Sequence, residues 1–289
     1  METARCRAFL TAAESGSFSA AAELLGYTPS GVSQLVSALE NELGVSLLSR
    51  SKRGVALTPS GESLLPAARE MLRQEQRLRE QAAELKGLAM GSVTIATYAS
   101  IARLWLPEVI RAFRADYPQI GIDVVEGIWQ ELHQMVGERR ADMAFMSYAE
   151  PMPYDWVELA KDPMLAILPR DHPLAGAERY PLERCREETF IMPAKGRDVD
   201  IVEMLKRAGI EPQIKVSTLE NLSALAMIEQ GLGMSVMNDI ITQRWECDVV
   251  KLPLDPPQEV TLGVAVPDLA HLAPAAKRFL DYAVARLKK

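Results

Sequence analysis

Ser30, Ser33, Gln34 and Ser37 stand within eight residues of one another and carry no charge. On a 3.6-residue helical period, Ser30, Gln34, Ala38 and Asn41 make one stripe, with Ser33 and Ser37 on its flank. A carboxamide can pair bidentately with adenine, and short hydroxyls reach base edges or phosphates, so this stripe is equipped to read bases in a DNA groove. Arg50, Lys52 and Arg53 form a second set, cations within four positions that suit phosphate contacts. A third set fits an anion. Thr97, Ala99, Ser100 and Ile101 follow an apolar stretch and open a helical one. Unsatisfied backbone N–H groups converge there with the Ser100 hydroxyl, and a carboxylate suits them.

Each set needs an element to hold it. Val32, Val36, Leu39 and Leu43 are spaced 4, 3 and 4, a stripe to be buried behind the polar one. Thr28 caps that helix, predicted over 28–43, and Pro29 sits first in it, where a missing N–H costs nothing. Just upstream, Ser19 reads as the cap of a short helix over 20–25, and Gly26-Tyr27 interrupts it. Two helices joined so tightly cross steeply, as in a helix-turn-helix whose second helix enters the major groove. A solvated face on a core helix would look alike in isolation; the capped helix before it decides for base reading. Residues 3–13 supply a first helix with Thr3 as cap and Phe9, Leu10 and Ala13 inward. Phe18 plugs the core from a loop. Beyond Gly44, 45–48 and 55–57 read as hairpin strands, their 51–54 tip a wing or, less informatively, a solvated turn.

The stretch GSFSAAAELLGYTPSGVSQLVSALENELGVSLLSRSKRGVALTPSGE resembles the N-terminal signature of the LysR-type transcriptional regulators. That family often has Arg directly after the Ser of its recognition helix, where this chain has Gln34. Later segments are similar to the family's effector domain: Leu106-Pro107 to Tyr117-Pro118, Arg140 to Phe145, Leu168 to Ala175 and Ile228 to Met237. The resemblance implies an α+β protein with a winged helix-turn-helix over 1–60 and a linker or dimerisation helix and hinge over 61–91. An α/β effector-binding domain, like a small periplasmic-type binding protein, would fill 92–289. Its subdomain I would comprise 92–161 and 267–289, and subdomain II 162–266. Implied partners are double-stranded operator DNA, a small-molecule effector, a second chain, further pairing to a homotetramer, and RNA polymerase.

Thr58 and Pro59 start a helix reaching about residue 88, with Glu62 placed for a capping box. Leu64, Met71, Leu78 and Leu85 recur every seven residues, a seam for a partner helix. Gly87 and Gly91 bracket a hinge. Strands then alternate with helices: strands over 93–96, 120–125, 143–146, 164–168, 190–192, 214–216, 234–237 and 260–266, helices over 101–117, 129–137, 199–208, 219–230 and 273–287. Such alternation predicts an open, largely parallel sheet with helices on both faces. Ligands bind beyond the carboxyl ends of such strands, which adds Gly127, Ile128, Ser147, Pro193, Lys195 and Thr218 to the anion site. Met135, Met143, Met146, Met192, Met227, Met234 and Met237 read as core.

Composition sets the limits. The 289 residues allow two or three domains. Residues 1–90 hold ten cations and ten carboxylates, so the net charge of −7 lies wholly beyond them. A weak field over the DNA-reading part argues for a dimer. Cys6, Cys185 and Cys247 are odd in number and far apart, which suits a reducing cytoplasm, and none sits in a reactive motif. His133, His172 and His271 lack ligand spacing, so neither metal nor cofactor is expected. The alternatives are an enzyme or a transport-type binding protein with an accessory helix-turn-helix, or a regulator without effector. No GxSxG, and no GxGxxG after a strand, supports an enzyme. METARCRAFLTAAESG lacks the regions of a signal peptide, which counts against transport. No apolar run is long enough to span a membrane.

Overall fold

The structure, a computed structural model, describes residues 2–51, 54–244 and 246–288. Three helices open it: α1 (Thr3–Ser15), α2 (Phe18–Leu25) and α3 (Pro29–Leu43). Ser17, not Ser19, caps α2: its backbone is extended and its hydroxyl accepts from the Ala20 N–H at 3.4 Å. Phe18 therefore begins the helix instead of ending a loop, and packs on the three-helix core. Thr3 is likewise the first helical residue of α1, with Glu2 in the cap position. Thr28 caps α3, accepting from the Gly31 N–H at 3.1 Å, with Pro29 next. Val32, Val36 and Leu39 are buried in one cluster with Phe9 and Leu10, each worth about 1.5–3 kcal/mol of transfer from water. Leu43 departs from the expected stripe, because the last turn of α3 clears that cluster and leaves it 40% exposed. Gly44, at φ 73°, closes the helix with a left-handed cap onto the Glu40 carbonyl.

The wing strands β1 (Leu48–Ser51) and β2 (Gly54–Leu57) pair antiparallel, Leu48 opposite Leu57. Pairing starts at Leu48 and not at residue 45. Glu40 accepts from the Leu47 and Leu48 N–H groups at 2.7 and 3.1 Å, so 45–47 serve as the turn out of α3. Thr58 caps α4 (Pro59–Glu84), accepting from the Gly61 N–H at 3.0 Å. Glu62 falls one position late for a capping box, since the third helical residue is Gly61. A Cβ there would lie 2.1 Å from the Leu47 carbonyl oxygen, so only glycine lets α4 start this close to the wing. The helix ends at Glu84, short of residue 88, in a turn through Gly87.

The sensor half begins with β3 (Gly91–Thr97), α5 (Ala99–Leu104), α6 (Leu106–Asp116), β4 (Ile120–Glu126), α7 (Trp129–Gly137) and β5 (Met143–Ser147). A strand of 15 residues, β6 (Asp155–Pro169), follows, then β7 (Tyr180–Pro181), β8 (Thr189–Met192), α8 (Val199–Arg207) and β9 (Gln213–Ser217). Last come α9 (Asn221–Glu229), β10 (Ser235–Asn238), α10 (Asp239–Thr242), β11 (Val249–Asp255), β12 (Glu259–Val266) and α11 (Pro274–Leu287). The single helix expected over 101–117 breaks at Trp105, because Pro107 has no N–H for the Arg103 carbonyl.

The sheet is mixed, not largely parallel. β4, β3 and β5 run parallel, but β12 is antiparallel to β5 and to the first part of β6. Farther along, β10 and β11 are antiparallel to β6. The cause is β6 itself, which crosses from one half to the other as one strand and is met by strands returning beside it. The boundary expected at 266 would assign β12 to the second subdomain, yet its pairing places it in the first sheet. One core joins the halves: Ala224, Leu225 and Ile240 share a cluster with Ile95, Phe113 and Phe279. A second core, around Phe190, Met204 and Met234, belongs to the far half. The methionines marked as core are buried, except the half-buried Met227, which packs against the first cluster.

Candidate functional site

At the tip of the N-terminal unit, Gln34 and Asn41 of α3 are exposed, and the Gln34 carboxamide has no hydrogen-bond partner among the described residues. Ser30 is exposed too, its hydroxyl 3.1 Å from that of Thr28. Ser33 and Ser37 are occupied. Both accept from the Arg50 guanidinium, at 2.9 and 3.5 Å, and that cation lies 4.9 Å from the centre of the Phe18 ring. Arg50 is thus laid along the recognition helix and not raised at the wing tip. Lys52 and Arg53 lie outside the described residues. Sequence reasoning missed Glu40, whose bonds to β1 fix the wing's position beside α3.

A cavity of about 340 Å³ opens between the two halves of the sensor. Of the expected anion-site residues, Ala99, Ser100, Gly127 and Ile128 line it. The others stand back. Thr97 is buried with its hydroxyl on the Tyr98 carbonyl, Ser147 bonds the Tyr98 hydroxyl at 2.9 Å, and Thr218 donates to the Glu220 carbonyl. Ile101 is core, and Pro193 is buried off the wall. Lys195 turns to solvent: it and Ala194 adopt φ of 51° and 49°, and its N–H is spent on the Thr218 carbonyl, so Ala194 lines the cavity instead. Ser100 is not a cap, since Tyr98 holds that position before the six-residue α5.

Sequence reasoning also missed the acids. Glu126, Glu131, Asp198, Asp200 and Glu220 line the cavity, against Arg197 as the lining cation. Arg197 sits at the mouth, 3.8 Å from Glu131 across the cleft. Asp198 caps α8, its carboxylate accepting from the Asp200 and Ile201 N–H groups. Burial raises Asp198, and burial together with the Asp198 charge holds the Asp200 carboxyl up at about 7. Just behind the wall, burial lifts Asp162 on β6 to about 6, although the Ile240 N–H opposes the shift. Cys185 is buried with its thiol pushed up to about 12, which makes a thiolate nucleophile unavailable there. Among the described residues no cluster of three or more His, Cys, Asp or Glu could hold a metal.

Two family models match the chain: the bacterial regulatory helix-turn-helix protein, lysR family, over residues 4–62, and the LysR substrate binding domain over residues 86–288. The chain belongs to the LysR family. It is a LysR-type DNA-binding transcriptional regulator with an effector-binding domain. Similar proteins include the HTH-type transcriptional regulator YvbU of Bacillus subtilis (strain 168), 31% identical and spanning 98% of each chain. The LysR-family regulator HinK from Pseudomonas aeruginosa is 27% identical over 99% of each chain, with a TM-score of 0.60. Full-length CbnR complexed with its target DNA shares the fold: TM-score 0.64, 22% identity, 98% of this chain and 99% of that one. Among the described residues no helix is long and apolar enough to cross a membrane.

Proposed function

We propose that α3 lies in the major groove with Gln34 reading a base edge and Ser30 and Thr28 at its entry. Arg50 braces the helix, and Lys52 and Arg53 meet phosphates. One observation carries this: the Gln34 carboxamide is exposed and, among the described residues, unpartnered on a small, uncharged face while Ser33 and Ser37 are held by Arg50. CbnR, of the same fold, is known bound to its target DNA. Two chains would pair through Leu78 and Leu85 of α4, and pairs of dimers and contact with RNA polymerase extend the same reading. The protein works in the cytoplasm, where its operator is. Its relatives are transcriptional regulators, which supports a regulatory role and not an enzymatic one. Its ligand instead favours one arrangement of the two sensor halves over another.

Binding to a library of single-base operator variants tests the base reading. Gln34→Ala should relax preference at one base step, at a cost of about 1–3 kcal/mol there. Uniform weakening over all variants would sink the role of Gln34.

A further inference from the structure

The walls of the cavity accept hydrogen bonds more than they donate them. Asp198 and Asp200 lie inside it, and Glu126 and Glu220 stand at the exposed rim. The Oδ1 of Asn221, another lining residue, is sealed from solvent and has no hydrogen-bond partner among the described residues. Two aromatic side chains, Tyr98 and Trp129, share the cavity, and ring faces attract ammonium groups. Ile240, Ile241 and Leu262 supply an apolar floor. Among the described residues Arg197 is the one lining cation; it is at the mouth and faces Glu131. A carboxylate ligand would meet like charge on several sides. A metal ion fits no better, since the carboxyl groups form no metal-binding cluster among the described residues.

We propose that the effector is a small aliphatic ammonium compound, its cationic end held at Asp198 and Asp200 beside the Tyr98 and Trp129 rings and its chain on Ile240, Ile241 and Leu262. The proposal rests on the cavity being the effector site. Asp200 is poised for such a ligand: burial and the Asp198 charge keep its carboxyl partly protonated near neutrality, and an incoming ammonium favours the ionised form.

Three four-carbon probes with different ends decide the matter on the full-length protein: 1,4-diaminobutane, 1,4-butanediol and succinate, titrated calorimetrically near neutral pH at matched ionic strength. The diamine should bind, the diol at least about 10-fold more weakly and succinate more weakly still. Asp200→Asn should lower diamine affinity about 10-fold. Glu126→Gln, at an exposed rim position where folding is not at stake, should lower it several-fold. Ala99→Trp, which fills the cavity, should abolish binding. Succinate binding as tightly as the diamine overturns the proposal, as does diamine affinity unchanged in both acid variants or no diamine binding up to about 10 mM. If succinate binds and Ala99→Trp removes it, the cavity reading stands and only the charge assignment falls. Diamine binding that survives Ala99→Trp overturns both.

Discussion

Asp162 and Asp200 are carboxyl groups that the fold keeps from water. Asp162 is 5% exposed, bonded through Oδ1 to the Ile240 N–H, and its Oδ2 has no partner among the described residues. Asp239 and Asn238 flank it, while Asp198, Ser147 and Asn238 surround Asp200. Both carboxyls titrate above their usual 3.8, at about 6 and about 7. The sign follows from linkage. A raised folded-state pKa contributes stability fully present below the unfolded value, and that stability is lost as pH rises through 6 and then 7. Each unit is worth about 1.4 kcal/mol, so shifts of about two and about three units correspond to about 3 and about 4 kcal/mol. Thermal melts from pH 8 down to about 5 should show Asp162→Asn gaining less on acidification than the wild type. Identical pH profiles would contradict the burial of a neutral Asp162. The polar stripe of α3 was legible in sequence because its residues lie on one helix. The acids were not, because Asp198 and Asp200 meet Tyr98 and Trp129 only through the tertiary fold.

At the scale of elements, α4 shows what a heptad pattern reveals and what it hides. Leu64, Met71, Leu78 and Leu85 recur as a seam, but the chain itself uses its first half. Leu64 and Met71 pack on the N-terminal core, with the Met71 sulfur 3.7 Å from Cys6 Sγ. Leu78 and Leu85 are 67% and 91% exposed. Periodicity cannot say which turns face the chain's own core, since α1 and α4 are brought together by the wing between them. The sheet was misread for a similar reason. Residues 155–163 mix Trp156, Val157, Leu159 and Ala160 with four charged residues in no strict alternation, so the local pattern does not mark them as a strand; β12 makes them one. Leu78→Glu should leave the monomer folded, because the side chain is free within it. In a dimer it buries a charge without a partner, and the dimer dissociation constant should rise about 100-fold or more. Sedimentation checks this, and an unchanged dimer would place the interface elsewhere.

At the scale of the whole molecule, one helix links the cavity to the DNA-binding unit. The first turn of α7 lines the cavity through Trp129 and Glu131. At its other end Glu138 accepts from Arg69 of α4 at 3.1 Å, and the same guanidinium reaches Glu14 of α1 at 3.2 Å. Arg73 pairs with Asp142 at 3.0 Å beside it, and farther along α4 Glu80 accepts from the Ala275 N–H of α11 at 3.1 Å. Arg69 is only 10% exposed, so its two ion pairs are partly desolvated and specify how the units sit together. A ligand that shifts α7 must strain or release this clamp. Arg69→Gln should therefore leave effector affinity of the isolated protein and base preference on the operator nearly intact. It should shrink the ratio of operator affinities with and without effector about five-fold, equivalent to about 1 kcal/mol of coupling. Linkage supplies an internal check, because the operator must change effector affinity by the same factor in each variant. Glu138→Gln, which breaks the contact from the side of α7, should give the same loss. An unchanged ratio in both variants, measured by operator titration at zero and saturating effector, would show that the signal travels by another route.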